Sequence, residues 1–139
     1  MLSGSPRARE SSRVRRGFVW LYVLTALFVA LAVLLQAFSI AAYVRGAGPD
    51  ALELHETLGF ITHGVELVVF LAALVGYWGN WRRVGFALLL PVIGTAQLFL
   101  IGDRSERGGW LNALHGLLAL IVLMLAAVLA QDGIRWLRR

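Results

Sequence analysis

Apolar residues run almost unbroken through four stretches of the chain, at about 18–44, 52–78, 84–102 and 110–131, each closed off by charge or glycine. A helix rising 1.5 Å per residue needs about 20 residues to cross a hydrocarbon core of about 30 Å. All four stretches meet that length. None alternates apolar and polar residues as a membrane barrel strand does. Backbone amides in lipid must find partners within their own segment, which leaves continuous helices as the assignment. The pattern predicts an all-α integral membrane four-helix bundle.

Composition sharpens that picture. Of the 139 residues, 59% are apolar and 15% charged, where soluble domains carry about 25% charge. The mean hydropathy is +0.75. Length allows one domain. With no cysteine, disulfides, thiolate metal sites and iron–sulfur clusters are excluded. The net charge is +5, and all 13 basic residues are arginine, which we read as genome bias. In so apolar a chain the natural partner of those arginines is the bilayer rather than nucleic acid. A soluble enzyme and a nucleic-acid binder are both excluded.

The arginines orient the helices. Arg7, Arg9, Arg13, Arg15 and Arg16 precede the first span, Arg82 and Arg83 sit in the second loop, and Arg135, Arg138 and Arg139 end the chain. That makes ten on one side against three on the other: Arg45, Arg104 and Arg107. The positive-inside rule then puts both termini in the cytoplasm. Trp20, Tyr77, Trp78, Trp81 and Trp136 fall at the inner interface, and Tyr43 and Trp110 at the outer, as aromatic belts do. The first apolar run exceeds the roughly 7–15 residues of a signal-peptide core, so it is read as a retained anchor. Residues 1–16 are expected to form a disordered basic tail, ahead of a transmembrane domain over 17–139.

Polar groups inside a bilayer are retained only with a partner or a purpose. Here they cluster in the outer half. On the second span His55, Gly59, Thr62, His63 and Glu66 share one helix face. The chain also repeats itself, with Leu54-His55 opening span two and Leu114-His115 opening span four, both in the pattern L-H-x-x-L. Gln36 precedes His55 by 19 residues and Gln97 precedes His115 by 18. Two helix hairpins in the same orientation are related by a pseudo-twofold along the membrane normal, which sets His55 and His115 at equal depth. Two neutral imidazoles facing each other in an apolar bundle suit a b-type heme better than a bare ion. His55 and His115 are the expected axial ligands, and His63 is the alternative. The competing reading keeps the histidines as interhelical hydrogen-bonding groups.

Two further constellations follow. His63 and Glu66 stand one turn apart, so the carboxyl reaches the imidazole, as a proton carrier or as a plain hydrogen-bond partner. A ligating imidazole usually gives its other N–H to an acceptor. By depth, Gln97 is expected to serve His115 or a heme edge in that way, and Gln36 is better matched to His63.

The histidine opening span two, the glutamine near the outer end of span three and the L-H-x-x-L opening span four resemble one four-helix half of heme A synthase. They also resemble the small bacterial four-helix membrane proteins related to it. The resemblance covers about residues 18–131 and implies heme ligation by His55 and His115. It departs from the catalytic half, which has a carboxylate three residues before the histidine of span two, where this chain has Leu52. An arginine commonly follows that histidine, and here Glu56 does. Heme A synthesis is therefore not carried over. The expected protein is a multi-pass component of the bacterial cytoplasmic (inner) membrane. It is cytochrome b-like, binds heme b and serves electron transfer, alone or with other membrane subunits or a quinone. The alternative is a cofactor-free structural or assembly subunit. No carboxylate pair, Ser/His set or phosphate-binding loop points to catalysis.

Overall fold

A computed structural model of the protein describes residues 6–100 and 108–139. Four helices account for most of them: α1 (Pro6–Val44), α2 (Pro49–Gly76), α3 (Trp81–Leu100) and α4 (Gly108–Leu137). All four are long and apolar enough to cross a membrane, as expected. Two boundaries differ from the sequence reading. The basic segment expected to lack order is helical from Pro6 onward. Proline suits a first helical turn, and the following Arg, Ala and Glu are helix formers. At the other end α4 continues past residue 131 to Leu137. The loop carrying Asp103, Arg104, Glu106 and Arg107, with the last residues of the third apolar stretch, lies outside the described residues.

The α1–α2 turn uses Gly46 and Gly48 at φ 92 and 95 before Pro49 opens α2, and the α2–α3 turn uses Gly79 at φ 86. Such values are accessible to glycine at little cost, and turns this short make consecutive helices antiparallel neighbours. Each helix packs on the next, and α4 closes the ring against α1. The diagonal pairs, α1 with α3 and α2 with α4, stand apart.

Lipid is as apolar as leucine, so burial alone does not hold such helices together; close packing of small residues does. Gly76 faces α1 so closely that a Cβ there would meet Val19 Cγ2 at 2.9 Å, and Gly133 of α4 likewise abuts Tyr22 and Val23. The fully buried side chains are concentrated in the inner half: Val19, Tyr22, Val23, Val69, Ala73, Leu90, Val122 and Ala126 among them. That end is also locked by polar and aromatic contacts. Tyr77 stacks edge-on against Tyr22 at 5.2 Å and Trp136 at 5.9 Å, with the Arg83 guanidinium 5.0 Å above its ring. Arg83 forks onto Asp132 at 2.7 and 2.9 Å, joining α3 to α4. Arg16 donates to the Leu137 carbonyl at 3.0 Å, satisfying a carbonyl that the helix end leaves free. Burial pushes the Tyr77 hydroxyl, just beyond the end of α2, up to about 12.

Toward the other end the packing loosens. The first fully buried residue of α2 is Thr62, and the last of α3 is Gly94. On α4 none of the described side chains from Gly109 to Ile121 is fully buried. Apart from Ser39 on α1, the inward-facing side chains nearest this end are mostly half-buried, and the histidines lie among them.

Candidate histidine site in the outer half of the bundle

His55 sits in the second turn of α2 and His115 in the second turn of α4. These helices are diagonal, so neither backbone touches the other. Their side chains nevertheless meet across the bundle axis, with ring centroids 6.3 Å apart and planes inclined at 71°. The internal repeat predicts such a meeting, and it takes place between helices whose backbones do not approach each other.

His55 is held from one side. Its Nδ1 lies 3.0 Å from the backbone carbonyl of Gln36 on α1. A carbonyl can only accept, so Nδ1 carries the proton and Nε2 keeps its lone pair in the neutral ring. The same carbonyl accepts a hydrogen bond from Ser39 Oγ at 3.0 Å, and Ser39 is fully buried. The Gln36 side chain turns elsewhere: Nε2 donates to Thr62 Oγ1 at 2.9 Å, and the Thr62 hydroxyl donates to the Leu58 carbonyl at 2.6 Å. Gln36 thus clamps α1 to α2 at two levels.

This arrangement departs from the expected partnerships. Gln36 does not bond to His63. Its backbone, which carries no residue-specific signature, holds His55, and its side chain holds Thr62. Gln97 is half-buried, and no hydrogen bond joins it to His115 among the described residues. His115 Nδ1 is buried with no hydrogen-bond partner. The two copies of the repeat differ in sequence: the second is one residue shorter between glutamine and histidine. Leu100 also stands where the first copy has Ser39.

Deeper on α2, His63 Nδ1 and Glu66 Oε2 pair at 3.1 Å, as the i, i+3 spacing predicts. Glu66 is only 2% exposed. What seals it is Gly94 of α3, where a Cβ would fall on the Glu66 carboxyl group and 2.7 Å from His63 Nδ1. Sequence reasoning missed Gly94. Its only signal in the sequence is that of a small residue within an apolar span, the residue type that lets helices approach closely in membranes. With Nδ1 engaged by Glu66, His63 is committed locally rather than to the axis between α2 and α4.

Among the described residues no group of three or more His, Cys, Asp or Glu is placed to hold a metal ion. The two-imidazole pair is the candidate site that remains. Comparisons with protein-family models, curated proteins and solved structures give no match.

Proposed function

We propose that this protein is a b-type heme-binding membrane protein that serves electron transfer, with heme held between α2 and α4 near the outer face by His55 and His115. The observation that carries the reading is the pair of rings at 6.3 Å across a diagonal of the bundle. An imidazole nitrogen ligates a metal at about 2.0–2.1 Å, so two rings on opposite sides of one ion have centroids roughly 6 Å apart. The donors fit in kind as well. The Gln36 carbonyl fixes the His55 tautomer so that Nε2 is free to ligate, and His115 supplies a buried, uncommitted ring. Half-burial of the surrounding side chains fits a flat group better than the close-packed inner half does.

When bound, heme supplies one-electron chemistry. The chain's own part is to present two imidazoles, to exclude water with apolar helix faces, and to keep the inner half of the bundle sealed. Glu66, paired to His63 and shielded by Gly94, is the one buried carboxyl among the described residues and the group able to hold a proton there. The arginine distribution supports cytoplasmic termini in a bacterial inner membrane, with the heme toward the opposite face. A quinone or another membrane subunit is the electron partner suited to that depth.

A reduced-minus-oxidised visible spectrum of the purified protein, before and after hemin addition, tests the reading. Low-spin bis-imidazole bands are expected. Their absence in both samples would leave His55 as an interhelical hydrogen-bonding group and the protein as a scaffold subunit.

A further inference from the structure

We propose that the two ligand positions are unequal: His55 is the anchored ligand, and His115 is the exchangeable one, which gives way to a small uncharged diatomic molecule such as carbon monoxide or nitric oxide. The inference rests on the heme reading above and adds a binding activity to it.

The inequality is built from hydrogen bonds. His55 is tied to α1 through the Gln36 carbonyl at 3.0 Å. That carbonyl is itself positioned by Ser39 Oγ, and Gln36 is pinned through its side chain to Thr62. An acceptor behind a ligating imidazole orients the ring and raises its basicity, and losing such support typically costs 10–100-fold in metal affinity. His115 has no counterpart. Its Nδ1 is buried without a partner, so nothing polar resists the ring tilting or withdrawing, and withdrawal would let that nitrogen find one.

The neighbourhood of His115 favours exchange too. Along the outer half of α4, Leu111, Leu118 and Ala119 are half-buried and no described side chain is fully buried, so close packing on that helix does not fix the imidazole. The same side chains are apolar. The apolar lining among the described residues suits an uncharged diatomic. With heme bound, the exchange would release the His115 imidazole and put the diatomic in its place, one ligand for one. No electron or proton is transferred.

The test uses the full-length protein in detergent, loaded with hemin and reduced with dithionite. Carbon monoxide is expected to bind the wild type and convert its spectrum. His115→Gly should retain heme, become five-coordinate and bind carbon monoxide at least tenfold more tightly, while added imidazole restores the low-spin spectrum. His55→Gly should lose at least tenfold in heme affinity. Imidazole rescue of His115→Gly excludes misfolding, and the wild-type titration needs no variant at all. A heme-loaded wild type that ignores saturating carbon monoxide overturns the inequality alone, as does equal heme loss in the two variants. A wild type that takes up no heme overturns the function reading and this inference with it.

Discussion

Gly94 has no side chain because α3 passes too close to the His63–Glu66 pair to allow one. Gly94→Ala should displace the Glu66 carboxyl from its bond and destabilise the bundle by about 1–3 kcal/mol, the usual range for overpacking. The control is Gly64→Ala on α2, where nothing lies within 4 Å of the added methyl; thermal unfolding in detergent should separate the two. Tyr77 presents the opposite case, a buried hydroxyl with no hydrogen-bond partner among the described residues. Tyr77→Phe removes that unsatisfied group and keeps the ring contacts, so stability should be unchanged or higher by about 1 kcal/mol. It should also reduce alkaline sensitivity. With its hydroxyl pushed up to about 12 in the folded chain, the wild type loses stability as the pH rises from about 10, where the unfolded tyrosine ionises. Gln36 works through two different groups. Gln36→Leu deletes the bond to Thr62, costing about 0.6 kcal/mol, but leaves the carbonyl behind His55 in place, so heme retention should survive.

Helices α3 and α4 depend on a clamp at their inner ends. Arg83 and Asp132 meet in a forked geometry at 2.7 and 2.9 Å, with side chains 23% and 37% exposed. Partial exposure and salt screening limit such a pair to about 1 kcal/mol. Asp132→Asn should lower the unfolding temperature modestly, and a double-mutant cycle with Arg83→Gln should return a coupling of that size that shrinks in high salt. In its middle α3 carries Pro91, which cannot donate the bond that a helix interior requires. Thr95 Oγ1 donates to the Pro91 carbonyl at 2.7 Å. The buried positions of α3 end at Gly94, short of the zone where the histidines stand. The α1–α2 pair is different, since Gln36 joins these helices at two levels in the same zone.

For the molecule as a whole, a tightly packed half and a looser half define opposite ends, and the positive-inside rule applied to the arginines predicts which end faces the cytoplasm. Reporter fusions at Asp50 and at Arg139 should report opposite sides of the membrane, with the C-terminus cytoplasmic; the same side for both would overturn the orientation. The helix α1 continues back to Pro6, so the segment before the span is part of the same helix.

The four helices were legible from sequence because lipid imposes a one-dimensional rule: each span must satisfy its own backbone and reach across the core. The same logic made the His63–Glu66 pair legible, since i, i+3 neighbours meet on any helix, and the repeat singled out His55 and His115 as partners. What sequence could not decide was anything carried by the backbone or set by rotation about a helix axis. The partner of His55 is a main-chain carbonyl, a group that every residue has. The unpartnered Nδ1 of His115 shows only once the helices are placed around it. Gly94 looked like one small residue among many until α3 lay against Glu66. Periodicity and hydropathy act along the chain and can be read from it. Close approach and the bearing of a hydrogen-bond acceptor arise between helices, so tertiary packing alone determined them.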